Sequence, residues 1–194
     1  TMLLKDAIEI SANAPAVHVL KKLTPKKSYE FLTSKLKFQN ISKNDMNSLG
    51  ALSLGGLESG VTVKEMTSAF QIFGNGGVYH KPYTYFYVLD RNGKILLDNR
   101  DKIGEQAITS KTATIMNRLL KNVMTNGTGR AASISGWDVI GKTGTTNDTK
   151  DSWLVAGTPY AMAGIWLGYD SPKEIKKMFK EAREKAPTIL FIDE

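Results

Sequence analysis

Gly141-Lys142-Thr143-Gly144-Thr145-Thr146 is the stretch on which the reading of this chain turns. Trp137, Val139 and Ile140 just before it prefer extended backbone, so the segment continues a strand. A lysine flanked by glycines and hydroxyl residues on a strand offers a fixed ammonium, two hydroxyl donors and a backbone that another chain can approach. Those are the needs of a site that grips a carboxylate and pairs with an extended peptide edge. Lys-Thr-Gly alone also fits a polar edge strand of small residues, so the surroundings must decide.

Downstream, Ser152 to Gly157 and Ala161 to Tyr169 read as strands, and short connections predict an antiparallel meander with Trp137 to Thr145. Upstream, Leu3, Leu4, Ala7 and Ile8 recur at helical spacing before Ser11-Ala12-Asn13. A second helix is predicted from Pro15, with Ala16, Val19, Leu20 and Leu23 on one face. Thr24-Pro25 reads as a further cap and first turn, with Tyr29, Leu32 and Leu36 on one side. The Gly/Ser-rich stretch from Ser48 to Gly60 reads as loop. Thr62-Val63-Lys64-Glu65 is a capping box, followed by the stripe Met66, Ala69, Phe70 and Phe73 and a stop at Gly74-Asn75-Gly76-Gly77. Tyr83 to Leu89 and Ile95 to Leu97, joined through Asn92-Gly93, predict a hairpin. A helix is predicted over about 110–124, with Met116, Leu119, Leu120 and Val123 inward. Helices first and a sheet later give an α+β (mixed α/β) fold, an antiparallel sheet packed against helices.

Composition excludes much. With 194 residues and 41% hydrophobic content the chain can bury a core. No run of about 18 apolar residues is present to span a membrane. No cysteine and two histidines exclude thiol chemistry and argue against a His-rich metal site or a Ser-His-Asp triad. The net charge of +7 comes from scattered rather than clustered basic residues, which reads as a solvated surface and not as a nucleic-acid interface. His18 reads as a packed or half-exposed helix residue, His80 as surface loop, and the tyrosines from Tyr79 to Tyr87 as a sheet face.

Ser11-Ala12-Asn13 followed far downstream by Lys142-Thr143-Gly144 has the order of the S-x-N and K-T-G motifs of penicillin-binding proteins and class A β-lactamases. The flanking segments agree. They are Ser11 to Val17, Leu-Gly-Gly-Leu-Glu-Ser-Gly-Val-Thr and Phe-Gly-Asn-Gly-Gly-Val-Tyr-His-Lys-Pro between Ser53 and Pro82, Asn126 to Ala132, and Gly164 to Asp170. Over about residues 1–171 the chain resembles the transpeptidase domain of a class A penicillin-binding protein. The resemblance implies a five-stranded antiparallel sheet against helices, with the Lys142 strand lining the cleft. It implies a peptidoglycan DD-transpeptidase acting through a serine acyl-enzyme, with peptidoglycan stem peptides and β-lactam antibiotics as partners and no cofactor or metal. It implies work on the extracytoplasmic face of a bacterial membrane, held only by an anchor outside this chain.

Residue by residue, Ser11 would relay a proton and Asn13 would hydrogen-bond a substrate amide. Lys142 would supply positive potential for the relay and the carboxylate. Thr143 and Thr145 would donate hydroxyls to that carboxylate, Gly144 would permit close approach, and the Thr145 N–H would form half of an oxyanion hole. Gly127 to Arg130 resemble a family loop with a packing role. The family's nucleophile, in a Ser-x-x-Lys motif, precedes Ser-x-Asn by several tens of residues, and only ten residues precede Ser11. The expectation is therefore a C-terminal portion of the domain, incomplete at its N-terminus, lacking the nucleophile and partnered by the missing part. Rival readings are a DD-carboxypeptidase, a serine β-lactamase, or a non-catalytic penicillin- or peptide-binding module. The glycine-rich, aromatic segments over 54–82 favour the transpeptidase.

The tail, residues 172–194, reads as an amphipathic helix and an apolar run, and Ile189 to Glu194 resembles an ATPase Walker B strand. Gly136 to Thr143 also satisfies G-x-x-x-x-G-K-[ST] letter for letter. A phosphate loop needs a helix to start after the lysine, and Gly144-Thr145-Thr146-Asn147 is a poor helix start. The ATP reading is therefore set aside.

Overall fold

A computed structural model of the chain describes residues 2–100, 102–146 and 151–168. Helices α1 (Leu4–Glu9), α2 (Asn13–Leu23), α3 (Pro25–Glu30), α4 (Lys43–Asn47), α5 (Leu49–Leu54) and α6 (Val63–Phe70) fill the first part. Short strands β1 (Val78–Tyr79), β2 (Tyr87–Leu89), β3 (Ile95–Asp98) and β4 (Glu105–Gln106) follow, then helix α7 (Ser110–Asn126). Strands β5 (Ile140–Thr145), β6 (Asp151–Gly157) and β7 (Met162–Gly168) come last. The expected meander is present: β5, β6 and β7 form one antiparallel sheet in that order, with Lys142 opposite Val155 and Trp153 opposite Trp166. Of the five strands implied by the resemblance, these three form the sheet among the described residues. The other strands form two separate ladders, β1–β4 and β2–β3.

Capping explains most of the helical layout. Thr62 accepts from the Glu65 N–H at 3.1 Å while Glu65 accepts from the Thr62 N–H at 3.0 Å, the reciprocal box read from the sequence. The same logic at Ser42 and Asp45 starts α4, a helix the sequence reading passed over. Asp45 is buried and also accepts from the Glu58 N–H at 2.8 Å. Backbone hydrogen bonds from Ser42 and Glu58 hold its carboxyl below the usual carboxylate range. The stretch expected as loop from Ser48 to Gly60 contains α5. Ser48 caps it by accepting from the Ala51 N–H at 3.2 Å, and Gly55 ends it with φ of 83°.

Other boundaries shift too. Helix α2 begins at Asn13 rather than Pro15, and of its expected face only Leu20 is buried, with Val19 and Leu23 about half exposed. The strand expected over Tyr83 to Leu89 is confined to β2. Tyr79 is buried while Tyr83, Tyr85 and Tyr87 are exposed, so these tyrosines do not share one sheet face.

Two buried groups hold these parts together. Leu36, Phe38, Ile41, Ala69, Ile72 and Tyr79 form one, with Tyr29, Leu32, Met66 and Phe73 packed against it. The other follows α7, where Ala113, Leu120, Val123 and Met124 are buried, as are Val139, Ile140 and Val155 of the sheet region. Helix α7 packs on β5 and α1, and α6 packs on β7. The α7–β5 contact is close enough to require glycine. A Cβ at Gly141 would lie 2.7 Å from Met124 Sδ and 2.9 Å from the Val155 carbonyl oxygen.

Gly141→Ala should therefore lower stability by about 1–3 kcal/mol, the usual cost of overpacking. Denaturant unfolding checks this. An unchanged midpoint would mean that α7 and β5 are not in this close contact.

Candidate active site

Ser11 and Lys142 lie 131 residues apart and meet at the edge of the sheet. Ser11 sits in the tight turn between α1 and α2, with φ of 57°, a left-handed backbone uncommon for a non-glycine residue. Its N–H donates to the Ile8 carbonyl at 3.2 Å, and the Ala12 N–H donates to the Ala7 carbonyl at 2.8 Å. This turn presents the hydroxyl to β5. Lys142 Nζ donates to Ser11 Oγ at 2.7 Å and to the Thr143 carbonyl oxygen at 2.8 Å. The Lys142 side chain is half-buried, and burial pushes its pKa below the ordinary lysine value. Strand β5 is an outer strand of its sheet among the described residues.

The other expected residues are placed less uniformly. Asn13 opens α2, exposed two residues after Ser11, and its amide meets neither Ser11 nor Lys142 among the described residues. Thr145 is exposed at the end of β5, opposite Ser152. Thr143 Oγ1 is 2.6 Å from Thr128 Oγ1, so its hydroxyl is engaged within the protein. Thr128 is a residue the sequence reading left in a packing loop. The glycines on both sides of it were the available signal for a tightly placed side chain. Gly144 carries no left-handed φ, and a Cβ there would make only an ordinary 3.4 Å contact with Trp153 Cβ.

One literal Ser-x-x-Lys string does occur, at Ser34 to Lys37, within the first turns after α3. It is not a nucleophile pair. Ser34 donates to the Glu30 carbonyl along its own helix, and Lys37, with φ of 58°, pairs with Glu105 at 3.0 Å. The Walker A string fails in structure as well as in context. Its lysine and threonine lie inside β5, and the Thr146 N–H just beyond donates to the Asp151 carbonyl of β6 at 3.1 Å. His18 is exposed rather than packed, and His80 is exposed as expected. No group of three or more metal-ligating residues occurs among the described residues. The expected tail helix and the Walker B-like run lie outside them.

The site thus joins a lysine of an outer antiparallel strand to a serine of a helix–helix turn, backed by α7. A family model described as the penicillin binding protein transpeptidase domain matches residues 1–171, and the chain belongs to that family. Penicillin-binding protein 1F of Bacillus subtilis is 34% identical over 196 residues, covering 98% of this chain and 26% of that protein. Penicillin-binding protein 1A of Clostridium acetobutylicum is 39% identical over 136 residues, covering 70% of this chain and 17% of that protein. The chain thus spans about a quarter or less of the length of these curated relatives. Among solved structures, the D,D-transpeptidase domain of a peptidoglycan glycosyltransferase from Eggerthella lenta superposes with a TM-score of 0.68. It is 24% identical and covers 94% of this chain and 53% of that one. The penicillin-binding protein PonA1 from Mycobacterium tuberculosis gives 0.69 at 24% identity, covering 87% and 49%. These structures support the fold, mixed helices with an antiparallel sheet, that the sequence predicted.

The lowered Lys142 pKa has a signed consequence for stability. Between its folded value and the ordinary lysine value, the unfolded chain binds more protons than the folded one. Lys142 therefore makes stability rise with pH across that window. Unfolding measured from roughly pH 8 to 11 should show this rise, and Lys142→Met should flatten it. The same slope in both proteins would remove Lys142 as its source.

Proposed function

We propose that this chain carries the carboxylate-binding and proton-relay side of a peptidoglycan DD-transpeptidase site, acting on stem peptides and open to β-lactams. The observation that carries this reading is the Lys142–Ser11 hydrogen bond, since it joins the two family motifs in one corner. In this reading Lys142 supplies positive potential to the substrate carboxylate and steadies the Ser11 hydroxyl, which passes protons to and from the reacting amine. Thr143 and Thr145 donate to the carboxylate, and the Thr145 N–H contributes half of an oxyanion hole. Asn13, exposed beside Ser11, takes the substrate amide. Gly144 supports the reading in a different way. Neither its backbone nor its packing requires glycine, so the absent side chain serves the approach of a ligand. The attacking serine is outside the groups placed here, and the longer chain that supplies it works at the outer face of a bacterial membrane. No described helix is long and apolar enough to cross a membrane.

In that longer chain, Lys142→Ala and Thr145→Ala should each slow acylation by a fluorescent penicillin by about 10²–10³-fold. That corresponds to roughly 3–4 kcal/mol, the scale of losing one donor to a developing or bound anion, here the Lys142 ammonium or the Thr145 hydroxyl. Melting temperatures should move little, because these donors matter chiefly once the anion or oxyanion is present. Unchanged acylation in both variants would sink the assignment.

Residues 1–194 on their own should form no stable covalent adduct with labelled penicillin, because Ser11 serves as a relay in this reading and, among the described residues, the Ser34 to Lys37 string is engaged elsewhere. The close Lys142 ammonium favours one other reading, in which Ser11 itself attacks. A covalent band on denaturing electrophoresis, abolished by Ser11→Ala, would replace the relay role with that one.

A further inference from the structure

The hydroxyl of Thr143 is already bonded to another hydroxyl, which bears on how it could serve a carboxylate. Thr128 Oγ1 lies 2.6 Å from Thr143 Oγ1, and either oxygen can be the donor. Each hydroxyl has one hydrogen. If Thr143 donated to Thr128, its hydrogen would be used inside the protein and a carboxylate would gain nothing from it. If Thr128 donates, the Thr143 hydrogen is free for another acceptor. An arriving carboxylate draws that hydrogen strongly and so selects the second arrangement. The two hydroxyls then form a chain whose members polarise each other.

Thr128 is held where this arrangement requires. Its N–H donates to the Glu9 carbonyl at 3.3 Å, and the Gly127 and Gly129 N–H groups both donate to the Val123 carbonyl at 3.1 Å. A Cβ at Gly127 would clash with the Glu9 carbonyl oxygen, and one at Gly129 would clash with Met124 Sδ. The Glu9 carboxylate in turn accepts from the Asn122 amide on α7. The loop is thus wedged between the end of α1, two residues before Ser11, and the helix that supports β5. Neither flanking residue leaves room for a side chain, so the position of Thr128 is fixed by backbone.

We propose that Thr128 is a positioning residue for the carboxylate subsite: it donates to Thr143 and thereby commits the Thr143 hydroxyl to the substrate carboxylate. This rests on the transpeptidase-site reading above. It goes beyond that reading by assigning a role to a loop residue outside both motifs.

The test uses the longer, acylation-competent chain with two probes, benzylpenicillin and its methyl ester, which lacks the free carboxylate. Thr128→Val should slow acylation by benzylpenicillin about tenfold, the loss of one modest hydrogen bond. The same variant should leave the slower reaction with the ester nearly unchanged. Thr128→Ser, which keeps the hydroxyl, should restore most of the rate and also guards against a folding defect in the valine variant. Equal slowing of both probes, or no slowing by Thr128→Val while Lys142→Ala still slows benzylpenicillin, overturns the Thr128 proposal and leaves the site reading intact. Indifference of both Thr128→Val and Lys142→Ala overturns the site reading itself.

Discussion

The Lys142–Ser11 bond is the constraint around which the site is arranged. It ties the turn between the first two helices to the outermost strand of a sheet that forms near the end of the described chain. A half-buried ammonium is stable only with oxygen partners, and here it has a hydroxyl and a carbonyl. Each partner is held by backbone. Ser11 is fixed by the hydrogen bonds that close the α1–α2 turn, and the Thr143 carbonyl belongs to β5. Helix α7 supports both sides, touching α1 along one part and β5 along another. The site is therefore a junction between three elements, and a shift in any one of them would move the ammonium.

This arrangement explains the positions of several small residues that carry no chemistry. Gly141 lets β5 lie against Met124, and Gly127 lets the following loop lie against Glu9. The backbone strain at Ser11 belongs to the same economy of space. A left-handed conformation at a serine costs free energy and persists only where surrounding bonds enforce it. At Ser11 those bonds are the Ile8 and Ala7 carbonyl contacts on either side, and the result is a hydroxyl aimed at the strand.

Much of this was legible in the residues, for reasons that can be stated. The three-strand meander follows from three strand-like segments joined by short connections, and α6 from its capping box. The convergence of Ser11 with Lys142 could be expected only through the family resemblance, since nothing local in a sequence reports a contact across 131 positions. Helix α5 was missed because the glycine and serine content of Ser48 to Gly60 outweighed its cap, and α4 was passed over because Ser42 looks like a loop residue until Asp45 is placed against it. The α2 face was misjudged because apolar spacing alone does not tell which neighbours will cover it, and only Leu20 is buried. Thr128 escaped notice because its partner is a side chain on a strand fifteen residues later. The two glycines beside it signal close packing without saying what is packed.

The open edge of β5 also bears on how the folded protein avoids itself. Unpaired N–H and C=O groups along an edge strand are a template on which a second copy could add, the first step toward aggregation. Strand β5 has several of the features that discourage this. It is six residues long, two of them are glycine, and it carries one charged residue, Lys142. Two like-charged edges brought together would repel, whereas a single extended chain ending in a carboxylate would not. The lysine thus disfavours the addition of a second copy along this edge.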